Sequence, residues 1–588
     1  MRIQHSSPIR SLRRFLILSS LCAVFAATVV AAPLRPTHAP HAIVTSVHEL
    51  ASQAGVEMLR SGGNAVDAAV ATGFALAVGH PQAGNLGGGG FLLLRNATGE
   101  THFIDFREKA PAAATANMYL DAQGNVIPES SKDSSVVGYK SIGVPGTVAG
   151  LVYAEKQYGK LSLEKVMAPA IKLARDGFPV AYEDAQDLKD DDYLAQFPAS
   201  KRIFLRDGNY YQPGELFKQP ELARTLERLA KDPDTFYHGA MARELAAAIH
   251  KGGGLVTAAD LAAYEVKERE PIRGSYRGYD IISAPPPSSG GVALVEILNI
   301  LEGFDLAKLG NRSADAIHLE AEAFRRAFYD RADFMGDPDF TKVPVAQLID
   351  KKYAAAWRDS IDPNRASVST NLKRPSFSEL ERVAQSRPTA LAIREPENTT
   401  HYSVVDAEGN AVSVTTTLND AFGSRVTAAG LGFLLNDEMD DFAAKQGVPN
   451  IYGLIQGPAN AIGPSKRPLS AMSPTIVLKD GKLFLVLGSP GGPTIITTVA
   501  NILIGVVDFS LDIEEAVDAP RFHHQWLPDQ ILVEDRLSPD TMNLLRSKGH
   551  KLNVEHFWGD GECIMIDPKT GERLGASDGR NNGKAVGY

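Results

Sequence analysis

The sequence predicts a large soluble protein of mixed α and β structure. It has 588 residues, of which 44% are apolar and 22% are charged, and this balance is typical of a globular protein with a substantial core. Segments with a helical spacing of apolar residues occur beside short runs of β-branched and aromatic residues. A chain of this length holds either two to four average domains or one large layered α/β domain.

Hydrophobic spacing and element-ending residues predict the individual helices and strands. The run at 61–64, SGGN, stops one helix before a second, more apolar helix begins. The predicted helices are 48–60, 66–78, 163–176, 222–230, 241–250 and 314–334. The predicted strands are 91–94, 402–405, 411–418, 475–478 and 483–487. Segment 374–398 mixes prolines with charges and shows little periodicity, so we expect an exposed linker there.

The N-terminus has the features of a secretory signal peptide. Four arginines precede an apolar run at 15–30, and Ala31, Ala32 and Pro33 follow it. A membrane anchor is the alternative, but the run is near the lower length limit for a span and contains three hydroxyl residues. We therefore expect residues 1–31 to be removed and the protein to be periplasmic or secreted, with no stable membrane anchor.

The chain that remains after this removal is acidic and has one cysteine, Cys563. A single cysteine cannot form an internal disulfide, so stability must come from size and packing. The net charge of −10 becomes about −14, because the signal segment carries four arginines and no acidic residue. This charge argues against nucleic acid or an anionic membrane as a partner.

A predicted β-hairpin brings two threonines together. Residues 406–410, DAEGN, read as a five-residue loop between two strand-like runs. If this loop joins Val405 to Ala411, the antiparallel register places Thr399 opposite Thr417. Two facing hydroxyls suggest a nucleophile and its orienting partner, although threonines are also common in strands that have no such role.

A chain cut at the end of the linker would explain both the linker and the threonine. A threonine hydroxyl is a poor nucleophile until a base takes its proton. The sequence has no Gly-x-Ser-x-Gly elbow before a helix, and no His-Glu-x-x-His or Gly-Lys-Ser/Thr motif. Cleavage between Asn398 and Thr399 would place a new α-amine, with a reference pKa of about 8, beside the hydroxyl of the same residue. The residues alone do not distinguish Thr399 from Thr400 as the nucleophile.

Seven short motifs follow one another along the chain. They are SGGNAVDA at 61–68, GNLGGGGF at 84–91, FIDFRE at 103–108, GVPGT at 143–147, TTHYSVVD at 399–406, PLSAMSP at 468–474 and GSPGG at 488–492. In this order they resemble the γ-glutamyltransferase (glutathione hydrolase) family of N-terminal-nucleophile hydrolases, over about residues 41–588. The resemblance implies an α/β fold, a four-layer αββα sandwich with mostly antiparallel central sheets.

The same resemblance implies self-cleavage and a two-step acyl transfer. Thr399 would cut the Asn398–Thr399 bond, giving a large subunit of 32–398 and a small subunit of 399–588 that pair as a heterodimer and form one domain. Thr399, held by Thr417, would then attack the γ-glutamyl amide of glutathione or a related compound. Water, an amino acid or a peptide acceptor would resolve the ester. Gly491 and Gly492 would stabilise the oxyanion, and no cofactor is required.

The resemblance implies a substrate site whose charges are opposite to those of the α-carboxylate and α-ammonium of a γ-glutamyl group. Arg107 and Ser470 would hold the α-carboxylate of the γ-glutamyl group. Asn419, Glu438 and Asp441 would hold its α-ammonium. The two acidic residues share a face if their segment forms a helical turn.

Two more positions follow from the resemblance. Bacterial members often have serine at the position of Ala471, so one carboxylate contact is absent there. Tyr452 lies in the glycine-containing stretch 441–457 and would act as a lid over the site.

Three alternatives remain open at this point. A sister acylase would cleave glutaryl side chains of β-lactams, but such substrates lack the ammonium that Glu438 and Asp441 suit. A non-catalytic periplasmic binding protein would be exported as one uncut chain. No metal centre is expected, because the acidic turn at 437–441 lacks the spacing of a cation loop and because His523 and His524 have no matching ligand pair.

Overall fold

Two stacked antiparallel sheets form the centre of the fold. The computed structural model describes residues 35–376 and 399–588. The predicted signal peptide 1–31, most of the predicted linker and Asn398 lie outside the described residues. From Pro36 onward, the described residues form one compact unit.

We number the elements in chain order. The strands are β1 (Thr37–Ala39), β2 (Ile43–Ser46), β3 (Gly89–Arg95), β4 (Thr101–Asp105), β5 (Phe178–Pro179), β6 (Leu205–Arg206), β7 (Asn209–Tyr210), β8 (Leu216–Phe217), β9 (Lys267–Arg269), β10 (Ile272–Tyr276), β11 (Tyr279–Ser283), β12 (Thr399–Val405), β13 (Ala411–Thr417), β14 (Thr475–Lys479), β15 (Lys482–Leu487), β16 (Phe522–His523), β17 (Ile531–Glu534), β18 (Leu552–Glu555), β19 (Glu562–Ile566), β20 (Arg573–Ser577) and β21 (Lys584–Gly587). The helices are α1 (Glu49–Arg60), α2 (Ala65–Gly79), α3 (Thr147–Tyr158), α4 (Leu163–Asp176), α5 (Tyr182–Asp190), α6 (Pro198–Phe204), α7 (Pro220–Lys231), α8 (Ala240–Lys251), α9 (Ala258–Ala262), α10 (Gly290–Leu301), α11 (Leu306–Leu309), α12 (Ala314–Phe334), α13 (Val345–Leu348), α14 (Lys351–Asp359), α15 (Thr494–Phe509), α16 (Ile513–Asp518) and α17 (Pro539–Ser547).

Both large sheets combine strands from the two described parts of the chain. The first sheet has the strand order β1-β20-β19-β15-β14-β11-β10, and the second has the order β21-β2-β12-β13-β3-β4-β9. Every neighbouring pair in these two sheets is antiparallel. Since each sheet needs strands from before residue 376 and from after residue 399, the two parts share one core.

Helices cover the outer faces of the two stacked sheets. Between the sheets, Leu93 of β3 and Phe103 of β4 belong to the same buried cluster as Ile476 of β14 and Val486 of β15. A second cluster joins the outer face of the second sheet to α1, α2 and α3. A third joins the outer face of the first sheet to α10, α12 and α15. The predicted four-layer αββα sandwich is therefore confirmed.

The sequence predicted these elements well. All the predicted helices and strands are present, and their ends differ from the prediction by three residues or fewer. Within the described residues, none of the helices combines the length and the apolar character that a bilayer crossing requires.

The prediction of an exposed linker at 374–398 is wrong at its first residue, Arg374. The Arg374 guanidinium lies 2.7 Å from a carboxylate oxygen of Asp333 and 3.8 Å from the ring centroid of Tyr329. This ion pair and ring contact hold Arg374 against α12, which the loop-like composition of the segment did not indicate.

The hairpin has the predicted register. Thr399 pairs with Thr417, and Val405 pairs with Ala411 across the loop at 406–410. β12 also pairs with β2, and β13 pairs with β3, so the hairpin lies in the interior of the sheet. Both faces of β12 are buried: Tyr402 packs towards the helices and Val405 packs between the sheets. A slip by one residue would exchange these two faces, and the register is therefore strongly specified.

Asp406 joins the hairpin loop to the start of α2. One of its carboxylate oxygens accepts hydrogen bonds from the Ala65 N–H at 3.0 Å and from Asn410 Nδ2 at 2.7 Å. The other accepts from the backbone N–H groups of Glu408 and Asn410, both at 2.9 Å. One carboxylate thus satisfies four donors.

We predict that Asp406→Ala lowers the free energy of unfolding by about 2 kcal/mol, because buried donors lose a charged acceptor. Urea denaturation measures this loss. Glu408→Ala is the control: Glu408 is exposed in the same loop and pairs with Lys160, so it should cost less than about 0.5 kcal/mol. Equal losses in the two variants would contradict the role given to Asp406.

Candidate active site

Thr399 lies at the end of a strand, on the side that faces the other sheet. The Ser403 hydroxyl, two alternations further along β12, donates a 2.8 Å hydrogen bond to the backbone oxygen of Glu562 in β19. Because alternate residues of a strand share a face, Thr399 points into the same space between the sheets. Thr399 is 8% exposed, so little of the residue is in contact with solvent.

Thr417 holds the Thr399 hydroxyl. Their Oγ1 atoms are 3.1 Å apart, and Thr417 Oγ1 also accepts a 2.9 Å hydrogen bond from the Asn419 N–H. Either threonine hydroxyl can donate in this pair, and the Asn419 N–H fixes the position of Thr417 Oγ1. Thr417 is fixed in turn by close packing with Gly88, where a Cβ atom would lie 1.9 Å from the Thr417 backbone oxygen. The glycine run at 87–90 therefore permits the approach of β3 to β13.

A small cavity opens at this pair of threonines. Nine of the predicted site residues line it; Gly491 does not, and Asn398 lies outside the described residues. The lining residues are Arg107, Arg331, Thr399, Thr417, Asn419, Glu438, Asp441, Tyr452, Leu454, Ser470, Ala471, Met472, Gly492 and Ile495.

Arg107 is buried at one wall of the cavity and contacts the two acidic residues that were predicted to bind the ammonium. Its Nη1 lies 2.5 Å from Glu438 Oε1, and its Nη2 donates to Asp441 Oδ2. Burial opposes the charge, but the carboxylates of Glu438 and Asp441 raise the pKa of Arg107 above its ordinary value. The residues expected to hold the two charges of a zwitterion therefore hold each other in the ligand-free cavity.

The acidic residues lie on a single turn of 3₁₀ helix, Glu438–Asp441, which meets the condition under which Glu438 and Asp441 were expected to share a face. Burial raises the pKa of Glu438 well above its usual range; Arg107 opposes this rise, and nearby Glu108 adds to it. An ammonium group beside Glu438 would favour its charged form. Asn419 Nδ2 donates to the backbone oxygen of Asp437 at 3.2 Å, which leaves the Asn419 side-chain oxygen to accept from a ligand.

Gly491 and Gly492 form the turn that precedes α15. Their φ angles are +125° and +51°, a region that favours glycine. Gly492 lines the cavity that contains Thr399. The first backbone N–H groups of a helix carry partial positive charge, so this turn can stabilise a negative charge near the threonine.

Tyr452 closes the cavity beside Gly492. It is 4% exposed, and a Cβ atom added to Gly492 would lie 2.9 Å from its ring. The Tyr452 hydroxyl donates a 2.6 Å hydrogen bond to the Asn419 backbone oxygen, and Gln525 Nε2 donates to the Tyr452 backbone oxygen at 3.1 Å. These contacts hold the aromatic ring over the site.

Ser470 and Ala471 lie on the wall next to Arg107. Arg107 Nε donates to the Pro468 backbone oxygen at 3.3 Å, and the Ser470 hydroxyl accepts from the Met472 N–H at 3.1 Å. Ala471 also lines the cavity. It has a methyl group at the position where bacterial family members often have a serine hydroxyl. Ser470 therefore supplies the hydroxyl of this segment on the cavity wall.

The sequence analysis assigned no role to two charged residues, one beside Arg107 and one on the cavity wall. Glu108 follows Arg107 and is fully buried, and burial raises the pKa of its carboxyl to about 7. Arg331 lies in α12 and lines the cavity. The sequence predicted α12 as a helix, but nothing in the local pattern distinguishes Arg331 from the other arginines of that helix.

The histidines have structural contacts. His523 Nδ1 lies 2.8 Å from Thr497 Oγ1, and His524 Nδ1 accepts from the Trp526 N–H at 3.0 Å. Among the described residues, His318, Glu322 and His550 have ligand atoms close enough together to hold a metal ion.

The side chains of this cluster already have hydrogen-bond or ion-pair partners. The rings of His318 and His550 are joined by a 2.8 Å hydrogen bond. Glu322 accepts from Arg326 at 2.6 Å and lies 3.2 Å from Arg325. Two guanidinium groups beside the carboxylate disfavour a cation there.

Comparison with known proteins identifies the family. The sequence pattern of gamma-glutamyltranspeptidase matches residues 51–588. The glutathione hydrolase proenzyme of Escherichia coli (strain K12) is 52% identical over 550 residues, which are 93% of this chain and 92% of that protein. The chain therefore belongs to the gamma-glutamyltranspeptidase family.

Solved structures give the same fold. The cephalosporin acylase from Bacillus halodurans has a TM-score of 0.80 at 27% identity, covering 96% of this chain and 98% of that chain. The gamma-glutamyltranspeptidase of Helicobacter pylori has a TM-score of 0.56 at 46% identity, covering 60% of this chain and 99% of that chain. The fold is thus shared by enzymes whose names indicate different acyl groups.

We predict that Thr417→Val slows turnover of a γ-glutamyl anilide about tenfold, because Thr399 loses the hydrogen bond that orients its hydroxyl. Initial-rate kinetics on processed protein measures this. Thr417→Ser should recover most of the rate. Thr416→Val is the matched control, since Thr416 donates instead to the Gly89 backbone oxygen. A rate of Thr417→Val within about twofold of wild type would contradict the orienting role.

Proposed function

We propose that this chain is an autoprocessing γ-glutamyltransferase that cleaves the γ-glutamyl amide of glutathione or a related compound. The observation that carries the proposal is one cavity that combines the Thr399–Thr417 hydroxyl pair with Arg107, Glu438 and Asp441. The Escherichia coli relative is named a glutathione hydrolase proenzyme, which supports both the substrate and the processing.

Processing would divide the chain into fragments 32–398 and 399–588. The Thr399 hydroxyl attacks the Asn398 carbonyl carbon, and the Asn398–Thr399 C–N bond breaks, which frees the Thr399 α-amine and leaves the Asn398 acyl group as an ester on the hydroxyl. Water then hydrolyses this ester and gives the Asn398 carboxylate and the free Thr399 hydroxyl. The division of both central sheets between the two parts supports a heterodimer that stays together after the cut. The Helicobacter pylori chain, which corresponds to 60% of this one, is consistent with a fragment of this kind.

The new α-amine would serve as the general base. Its reference pKa is about 8, so it is partly unprotonated at neutral pH. It takes the proton of the Thr399 hydroxyl as the oxygen attacks the γ-carbonyl carbon of the substrate. The amides of Gly491 and Gly492 stabilise the oxyanion, the amine product leaves with the proton, and an ester remains on Thr399. Water or the amine of an amino acid or peptide then attacks this ester.

Substrate binding would exchange one set of charge pairs for another. The α-ammonium binds Glu438, Asp441 and the Asn419 oxygen, and the α-carboxylate binds Arg107 and Ser470. The existing Arg107 contacts support this exchange, because each ligand charge replaces a partner of the same sign. Tyr452 would act as the lid and move during substrate entry. Export to the periplasm after removal of residues 1–31 belongs to the same proposal.

An acylase acting on glutaryl groups is the second candidate, and the similarity to the Bacillus halodurans acylase favours it. A glutaryl group has a carboxylate but lacks the α-ammonium, so it would leave Glu438 and Asp441 without a ligand charge. Relative kcat/KM values for γ-glutamyl and glutaryl anilides separate the two candidates. We predict at least about tenfold preference for the γ-glutamyl anilide. Faster glutaryl cleavage would replace the proposal.

We predict that Thr399→Ala abolishes both processing and turnover, because cleavage and acyl transfer use the same hydroxyl. A denaturing gel with N-terminal sequencing checks this. The wild-type small fragment should begin Thr-Thr-His-Tyr, whereas the variant stays in one piece. Thr400→Ala is the control and should mature. Two-fragment maturation of Thr399→Ala would remove Thr399 as the nucleophile, and an uncut wild-type chain would favour a binding protein.

A further inference from the structure

Arg331 is a buried cation without an ion pair. Its side chain extends from α12 to the active-site cavity and is 3% exposed. Its Nε donates a 2.8 Å hydrogen bond to Ser289 Oγ, while its Nη1 is buried and has no hydrogen-bond partner among the described residues. In the same helix, Arg325 and Arg326 both pair with Glu322. Arg331 therefore differs from Arg325 and Arg326 in having no carboxylate partner among the described residues.

An unpaired buried charge is costly, and a ligand anion would remove this cost. Burial lowers the pKa of Arg331 to about 10 and the charge of Asp441 partly opposes the fall, so the guanidinium stays protonated at neutral pH. Asp441, however, is already hydrogen-bonded to Arg107. The cavity thus contains a positive charge that no carboxylate of the described residues contacts directly.

Arg331 is connected to the wall that carries Ser470. Ser289 Oγ, which accepts from Arg331, donates at 2.7 Å to the Ser470 backbone oxygen. Arg107 reaches the same segment through the backbone oxygen of Pro468. Both guanidinium groups are therefore linked by hydrogen bonds to residues 468–470, Arg107 directly and Arg331 through Ser289. The segment that carries Ser470 thus lies near two positive charges.

We propose that Arg331 is a second cationic contact for the α-carboxylate of the γ-glutamyl group and thereby selects acyl groups that carry a carboxylate. The inference rests on the proposed function, in which this carboxylate binds beside Arg107 and Ser470. In the ligand-free cavity Arg107 is occupied by Glu438 and Asp441, whereas Arg331 has a free donor. Arg331 therefore attracts the carboxylate before Arg107 exchanges its partners.

Three anilides test the contact. The γ-glutamyl anilide carries both the carboxylate and the ammonium, the glutaryl anilide carries only the carboxylate, and the 4-aminobutyryl anilide carries only the ammonium. For processed Arg331→Gln we expect kcat/KM to fall about 10- to 100-fold on the two carboxylate substrates, mainly through KM, because one charged hydrogen bond is lost. The 4-aminobutyryl anilide should change by less than about twofold.

An equal loss on all three anilides would mean that Arg331 only supports the structure, and no loss on any of them would remove it from the site; both results overturn the proposal. Arg312→Gln is the matched control. Arg312 is a half-buried arginine outside the cavity that donates to the Pro520 backbone oxygen, and its substitution should leave the ratios among the three substrates unchanged.

A folding defect in Arg331→Gln would be visible as absent processing, and Arg331→Lys then carries the test. Lysine keeps the charge but loses the planar donors, so we expect a smaller loss that is still confined to the carboxylate substrates. A uniform loss would again overturn the proposal. If the wild-type protein prefers the glutaryl anilide, the proposed γ-glutamyl specificity fails, while the response of both carboxylate substrates to Arg331→Gln still decides the role of Arg331.

Discussion

The antiparallel pairing of β12 with β13 is the constraint on which the site depends. It sets Thr399 against Thr417 at the end of a hairpin whose two faces are buried by different layers. A shift of one residue would move the hydroxyl from the gap between the sheets to the helix-covered face. The position of the proposed nucleophile is thus maintained by the core of the whole fold, and its hydrogen bond to Thr417 holds the hydroxyl oxygen in place.

The second constraint on the site is the group of buried charged side chains around the cavity. Arg107 is bound to Glu438 and Asp441, and Arg331 has an unused donor. Charges that contact one another in the cavity remain desolvated, and a zwitterion can replace these contacts without bringing new unpaired charge into the interior. This arrangement explains how a small polar group can be bound in a nearly closed space. It also explains why a substrate with one of the two charges would bind less well.

The sequence predicted the helices, the strands and the hairpin because these depend on local rules, whereas the four-layer arrangement was predicted from the family resemblance. The five-residue loop at 406–410 sets the register, and the apolar spacing marks α2 and α12. The direct contact of Arg107 with Glu438 was not predicted, because it joins residues more than 300 positions apart and depends on how two layers pack. Arg331 was missed for the same reason: its helix was recognised, but the side of the helix that meets the cavity is a tertiary property. Arg374 was misread because an ion pair with Asp333 overrides the composition of its segment.

The central claim is that the Thr399 hydroxyl carries the acyl group. The most direct measurement is rapid acid quenching of processed protein during turnover of a γ-glutamyl substrate, followed by mass spectrometry of the 399–588 fragment. The account predicts a population heavier by one γ-glutamyl group, with the modification located on Thr399. An adduct on another residue, such as Thr400 or Ser470, would contradict it.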